Sequence, residues 1–562
     1  MKKLYIILSL MLTALAPLAQ ELNNEITVER EIALSPGEVR PLELRPEITL
    51  PPLTAVNLPF SHDAVTTRVP DALTTLEPVT WTDPMLLTNA RGYVQLGLFP
   101  LWNASLSAGY RIIDNKKTRL NAWLQYDGSV YRRAWSGFNK DVKPYWREHS
   151  VTADLALSHR FNDVSTLEAN IDYTFGRFNY NLPVSAQIPR EWQSSNNVGL
   201  RALWRSQVSI FAYQVYAGYR RFAYANEVPT LNGNALAARE NRFNVGGRAG
   251  FNFRNNIDLG LKVDLDVLDS RLRKGATGVL NLTPYIRMSG STWRFEAGPR
   301  IEMTFNGGKF FHIAPEVVGG WTPSPFFGIE VRTGGGEHFN SLASLSYAAL
   351  RTNPAFCYEL SHIPLTVDLG ITVGPYKGLS LRLFGGWASA NDWLMPILDS
   401  QAIGYLPSYF DKFNLRAFHG GAELRARWNG LIDFTARFEA FEGGKDRAYY
   451  LNRDRACQVL DLKLKVTPLR KLDIEASWQL RANRSAYSYT GVLNPATGEI
   501  ETKLNRIGLH NVSNLCVGAY YAINKHFGVF LQGVNLLNHN HTEIDGSPSQ
   551  GISGLVGATY KF

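Results

Sequence analysis

The chain has 562 residues and a formal net charge of +9, and its 58 Lys and Arg residues are spread along its length; no basic block of the kind that a nucleic-acid surface needs is present. Cys357, Cys457 and Cys516 stand far apart without C-x-x-C spacing, which excludes a disulfide framework and a cysteine zinc site. Aromatic residues reach 12%, glycines number 47 and hydrophobic residues are only 45%, a balance that fits apolar positions alternating with wet ones.

Lys2 and Lys3 precede the apolar run Leu4 to Leu12, and small residues follow up to Ala19. This order predicts a secretory signal peptide over residues 1–19, with Gln20 as the first mature residue. No Cys lies near that site, so no lipid anchor is expected. No later run reaches about 18 apolar residues, so helical spans are not expected and passage through a bilayer must use a closed barrel.

Residues 20–89 carry Pro36, Pro41, Pro46, Pro51, Pro52, Pro59, Pro70, Pro78 and Pro84 with few aromatics. Proline at this spacing forbids long helices and central strands. An extended periplasmic arm is predicted.

Over residues 90–562 the rule changes to segments of roughly ten residues that alternate apolar and polar, the signature of transmembrane strands. Ile257, Leu259, Leu261, Val263, Leu265 and Val267 face one way, and Asp258, Lys262, Asp264 and Asp266 the other. The same split separates Leu460, Leu462, Leu464 and Val466 from Asp461, Lys463 and Lys465. It separates Phe418, Ala422, Leu424, Ala426 and Trp428 from His419, Glu423, Arg425 and Arg427. Several charges on one face of repeated long strands fit a wet lumen better than the inside of a soluble sandwich. The simplest reading of pairs such as Lys262 with Asp264 is a solvated interior.

Tight connections at Asp114 to Lys117, Asn162-Asp163, Asn255-Asn256, Pro375 to Gly378, Asn429-Gly430, Pro468 to Lys471 and Asn524-Lys525 use turn-forming residues. They alternate with longer links such as Trp135 to Glu148, Gly334 to Leu360, Asn391 to Lys412, Asn483 to Glu499 and Asn538 to Gly551. Short periplasmic turns and long external loops are laid out in this way. The count predicts an all-β, antiparallel transmembrane β-barrel of about 22 strands, within a range of about 18 to 24. Pro284, Pro299 and Pro315 fall inside three successive strands, where bulges or shifted boundaries are expected. Trp135, Tyr145, Trp146, Trp192, Trp387, Trp393, Tyr449 and Tyr450 are read as an interfacial girdle or loop tips.

In the final stretch, Ile552, Gly554, Val556, Ala558, Tyr560 and Phe562 share one apolar face. A strand ending in Y-x-F resembles the assembly signal of bacterial outer-membrane barrels, which implies that Val556, Ala558, Tyr560 and Phe562 are read by the barrel assembly machinery. Phe530-Leu531-Gln532-Gly533-Val534-Asn535-Leu536-Leu537-Asn538, a loop, and then Gly557 to Phe562 resemble the last two strands of TonB-dependent receptors. Asn353-Pro354-Ala355-Phe356 with Glu359 resembles a segment farther back in that family. Glu25-Ile26-Thr27-Val28 resembles its energy-coupling box. The likeness covers the barrel half and fits the type found in Bacteroidota. The family's folded plug of well over a hundred residues has no counterpart in the proline-broken arm, so uptake driven by TonB is in doubt.

His539-Asn540-His541 with Glu543 and Asp545 offers metal ligands, but i and i+2 imidazoles in a loop do not fix a common direction, and no metal or cofactor is assigned. Nothing resembles G-x-S-x-G, H-E-x-x-H, a Walker loop or a dinucleotide fingerprint, so no enzyme is expected. Two functions follow. One is a transport or receptor barrel in the cell outer membrane, its lumen occluded by arm, loops or partner. The alternative is a structural or accessory subunit that binds a periplasmic protein. The expected partners are outer-membrane lipid, the assembly machinery and a periplasmic protein, for which the resemblance suggests TonB; no nucleic acid is expected.

Overall fold

The computed structural model describes residues 90–562 apart from 100–102, 135–142, 181–191, 230–234, 254–255, 274, 354–359, 399–407, 443–455 and 494–499. The expected signal peptide, arm and coupling box at Glu25 to Val28 lie outside the described residues, as do Pro354, Ala355, Phe356 and Glu359 of the family-like segment and Trp135, Tyr449 and Tyr450. Everything described belongs to one compact unit.

Among these residues, twenty-two strands form one antiparallel sheet that closes on itself. The first, Gly92–Phe99, pairs with the last, Ser553–Lys561, in a register running from Tyr93 opposite Lys561 to Leu98 opposite Val556. Closure removes both edges, so every strand has two neighbours to satisfy its backbone. Alternation sorts the faces as the sequence predicts. Leu259, Leu261 and Leu265 are exposed on the outer face, whereas the side chains of Lys262 and Asp266 are 14% and 18% exposed on the inner one.

Both Gly92 and Phe562 sit at the end of the barrel that carries the tight turns. The turns are closed by their own asparagines: Asn115 Oδ1 accepts from the Lys117 and Thr118 amides at 3.0 and 2.6 Å, and Asn524 Oδ1 accepts from the His526 and Phe527 amides at 2.8 Å. Asn256 and Asn429 take positive φ, which Asn tolerates better than most residues.

The opposite end is uneven. Leu379–Leu398, Ser408–Trp428 and Leu472–Leu493 have 20, 21 and 22 residues, about twice what a transmembrane strand needs. They absorb much of the links expected at Asn391 to Lys412 and Asn483 to Glu499. The ladder runs on from Trp393 opposite Phe413 to Leu398 opposite Ser408, and the outer half of Leu472–Leu493 pairs with a further strand, Ile500–Gly508, outside the ring. Away from lipid the apolar-out pattern lapses while the hydrogen bonding continues, so periodicity alone ends these strands too early.

Pro284 and Pro299 need neither bulges nor moved boundaries, but beside Pro315 the expected irregularity is present: pairing with the next strand ends at Val317 opposite Thr333, and that strand shifts register between Gly334 and Gly336. Pro299 lies opposite Pro315 in an unbroken register. Between Thr277–Ser289 and Trp293–Phe305 the register resumes unshifted at Ile286 opposite Ala297 after stopping at Leu282 opposite Ile301. Between these two strands the ladder is thus interrupted around the place where Pro284 and Pro299 would have exchanged bonds. Clustering the missing donors in one lateral row confines the loss to a single patch.

Candidate functional site

The lumen wall is lined by ion pairs that run sideways from strand to strand. Lys262 Nζ lies 2.7 Å from Glu296 Oε1 and 2.5 Å from Glu316 Oε1, not on Asp264 as its nearness in sequence suggests. Glu296 also receives Arg287 Nη2 at 2.6 Å, and Arg248 donates to the Tyr285 hydroxyl at 2.8 Å. A second group centres on His419, 3.0 Å from Asp368 and 3.1 Å from Glu439, with Arg437 2.9 Å from the same Glu439. Most contacts join different strands, which antiparallel pairing places side by side, while Arg437 and Glu439 lie two apart on one strand, as do Tyr285 and Arg287. Signs alternate at close range, so the wall is polar without being a field of one sign.

The loop end of the lumen is crossed by protein. Residues 340–353 leave the strand Phe327–Phe339, form the short helix Leu342–Ala348 and dock on walls far apart in the ring. Glu240 accepts from the Leu342 and Ala343 amides at 2.5 and 2.9 Å, and Ser341 Oγ accepts from the Ser344 amide at 3.1 Å, so the helix start has its orphan donors met. Arg351 then ties three elements. Its Nη2 is 2.5 Å from Glu148 Oε1, its Nε donates to the Asn179 carbonyl at 3.0 Å, and its amide donates to Asp545 Oδ2 at 3.1 Å. The guanidinium also lies over the Trp146 ring at 4.8 Å. The Asn353 amide donates to the Ser408 carbonyl at 2.9 Å.

One apolar cluster holds this crossing together. It joins Phe178, Phe222 and Tyr224 to Leu342, Leu345 and Ile544, and these to Leu394 and Phe410. Phe178 lies on the fifth strand of the ring and Phe410 on the sixteenth of twenty-two. They are half the circumference apart. The cluster therefore spans the mouth rather than lining one side of it. Trp146 and Trp393, expected in an interfacial girdle or at loop tips, are 0% and 8% exposed in the packing of this end; Tyr145 stays exposed.

The loop after Phe527–Val534 contributes the other half of the closure. Asp545 accepts from the Ser547 amide and hydroxyl at 3.0 and 2.6 Å, Arg484 donates to the Thr542 carbonyl at 3.0 Å, and the Tyr131 hydroxyl donates to the Pro548 carbonyl at 3.0 Å. His541 Nε2 lies 3.1 Å from Glu543 Oε1. Burial tends to raise the Glu543 carboxyl, but His541 with Arg484 and Arg351 outweighs it and holds the group below the ordinary carboxylate range. The four candidate ligands do not converge: the His539 and His541 rings are 6.4 Å apart and Asp545 is engaged by Ser547 and Arg351. This loop stands out in the sequence, but nothing local marks Glu240, Arg351 or Glu148, whose partners lie from about one hundred to two hundred residues away.

Val556, Tyr560 and Phe562 are exposed on the outer face, with Ala558 on the same side, while Thr559 and Lys561 are buried on the other. The Phe562 carbonyl accepts from the Arg91 and Gly92 amides at 2.6 and 2.9 Å, and its ring lies 6.1 Å from Tyr110 and 5.7 Å from Tyr560. The expected signal residues thus form the outer face of the seam between last and first strands.

A closed antiparallel ring of this size, with an apolar outer face and a polar inner wall, is a large transmembrane-type β-barrel, and comparison with solved structures gives the same fold. The siderophore receptor PirA from Acinetobacter baumannii is similar with a TM-score of 0.61 at 10% identity, over 84% of this chain and 80% of that one. A mutant of the ferric enterobactin receptor PfeA from Pseudomonas aeruginosa gives 0.58 at 10% identity, over 84% and 80%. The ferripyoverdine receptor of the Pseudomonas aeruginosa outer membrane, bound to ferripyoverdine, gives 0.57 at 11%, over 84% and 72%. No protein-family model matches the sequence, and no curated protein does. The chain is a TonB-dependent receptor-like β-barrel in fold, and its described residues supply the barrel and its loops but no plug.

Proposed function

We propose that this chain is a transport or receptor barrel of the outer membrane whose lumen is shut by its own loops at one end and by the arm, residues 20–89, or a periplasmic partner at the other. The observation that carries this reading is the apolar cluster that joins Phe178 to Phe410 across the mouth. A barrel of about 22 strands without filling would pass large solutes, and an anchor that only held a partner would have no use for a packed crossing over a charged lumen. The arm's proline content makes it extended and inexpensive to order, which suits a segment that covers an opening or meets a periplasmic protein such as TonB. The similarity to siderophore receptors supports transport of a bulky solute over free diffusion of small ones.

Single-channel conductance in planar bilayers tests this. The full chain is compared with a deletion of Gln20 to Pro84 and with Arg351→Ala combined with Leu345→Asp. Low conductance in the full chain, rising in the doubly altered protein, supports closure by the loops, and a further rise on deleting the arm supports its share. Folded barrels with unchanged conductance in every variant would overturn the transport reading in favour of an accessory subunit.

A further inference from the structure

Near the loop end, the lumen wall holds a second constellation that neither the ion-pair groups nor the crossing uses. Register sets it up: Asn281 lies opposite Glu302 and Glu302 opposite His312, while Glu337 lies opposite His362 and His362 opposite Asn391. The contact between His312 and Glu337 joins the two halves into one row across six strands. The row faces inward, since Phe311 and Ile313 beside His312 are 50% and 61% exposed on the outer face.

A register slip makes the row possible. Phe327–Phe339 pairs with Leu360–Tyr376 in one register up to Gly334 opposite Thr366, and in another from Gly336 opposite Ile363. In the first register Glu337 would have met Ile363; after the slip it meets His362. Irregularities of this kind recur where a side chain must be re-aimed at a site. Gly336 takes φ +132 with the Glu302 carboxylate packed against the place of a Cβ, so no other residue fits there without strain.

Glu337 Oε1 lies 2.9 Å from His312 Nε2 and 3.0 Å from His362 Nδ1, and the two rings are 4.1 Å apart. The Glu337 side chain is only 3% exposed. Both ring nitrogens are sealed from solvent, yet neither makes a hydrogen bond of acceptable geometry. The oxygen therefore sits beside, not on, the axis along which each nitrogen aims. Neighbouring ligands of one shared ion are disposed like this, whereas a donor and its acceptor are aligned. Ligand atoms around a tetrahedral zinc ion at its usual bond lengths are about 3.3 Å apart, so the three atoms need to move by only a few tenths of an ångström.

A supporting layer is present as well. The Glu337 amide donates to Glu302 Oε2 at 2.8 Å, Glu302 is held by Arg300 Nε at 2.9 Å, and Arg300 donates to the Gly335 carbonyl at 3.2 Å. Outer contacts that fix the aim of ligands are characteristic of metal sites.

We propose that His312 Nε2, Glu337 and His362 Nδ1 bind a divalent transition-metal ion of the zinc class at the loop end of the lumen. Two imidazoles and one carboxylate favour such an ion over calcium or magnesium. Three protein ligands leave at least one position for water or a ligand entering the lumen.

The test uses the untagged full-length protein in detergent, stripped of metal and titrated with Co²⁺ by visible absorption, then with Zn²⁺ by calorimetry and competition. One equivalent of Co²⁺ should develop the strong visible bands of a four- or five-coordinate site and be displaced by Zn²⁺. His312→Asn, Glu337→Gln and His362→Asn, chosen close in size so that the wall still packs, should each weaken binding by more than about 100-fold, since loss of a ligand exceeds loss of a supporting contact. The double change His539→Ala and His541→Ala should leave it intact. Heat-modifiable mobility certifies that each barrel is folded, and wild-type stoichiometry with any one folded ligand variant suffices to decide. Absence of stoichiometric Co²⁺ binding in the wild type, or equal binding by the folded ligand variants, would overturn the site and leave an ordinary electrostatic cluster of the lumen wall, without touching the transport reading.

Discussion

Arg351 is the residue on which the closure turns, because it holds Glu148, the Asn179 carbonyl and Asp545 at once while 3% exposed. Arg351→Ala removes the guanidinium from Glu148 and from the Asn179 carbonyl while keeping the amide from which Asp545 accepts, and losing a hydrogen bond to a charged group costs about 1.5–3 kcal/mol. The expected outcome is a folded barrel whose 340–353 segment and last long loop become sensitive to limited proteolysis; unchanged cleavage would remove Arg351 from that role. Gly298 carries a different prediction. A Cβ there would overlap the Pro284 carbonyl, so Gly298→Ala should reduce the yield of assembled barrel, while Gly508→Ala, with nothing within 4 Å, should not; equal yields would show that the proline row is not tightly packed. Turn asparagines such as Asn524 were legible in the sequence because their bonds close within three residues. Arg351 and Glu240 were not, because their meaning lies in partners that only the ring brings close.

Among the elements, the strands were the legible part wherever lipid imposes an apolar outer face, as in Ile257–Ser270. They ceased to be legible where Leu379–Leu398 and Ser408–Trp428 rise clear of it and only hydrogen bonding continues. The last long loop has its own pH response. The Glu543 carboxyl is held low in the folded protein, so its contribution is complete above the ordinary carboxylate range of about 4.3 and is lost as pH falls through its lower, folded value. Hydrogen exchange over residues 539–551 should therefore stay slow at neutral pH and accelerate in acid below about pH 4, and Glu543→Gln should remove that acid step; an identical step in the variant would assign it elsewhere. The seam yields a further expectation. Phe562→Ala removes about 2 kcal/mol of apolar contact, yet assembly should fall far more than that loss predicts if the ring is read during insertion. Normal amounts of folded barrel would reduce Phe562 to packing alone.

For the whole molecule, orientation follows from the two unlike ends. Cysteine placed at the exposed Asn540 should be labelled on intact cells, and cysteine at Asn429 or Lys525 only after the outer membrane is permeabilised; the reverse pattern would turn the barrel over. Ring size and alternation could be read from composition and period, but the crossing could not, since no local pattern announces that Phe178 and Phe410 share a cluster. That shared cluster makes the crossing a chord of a circle. A chord fixed at opposite walls ties its own integrity to the roundness of the ring: flattening along that diameter compresses the packing, and stretching along it parts the apolar contacts together. Packed interfaces yield by switching between arrangements and not by gradual stretch, so the mouth should have two settings. Moving it from 1% to 99% open would require about 5.5 kcal/mol of preference for the open form, and lateral pressure from the bilayer would act on the same coordinate as any solute bound within.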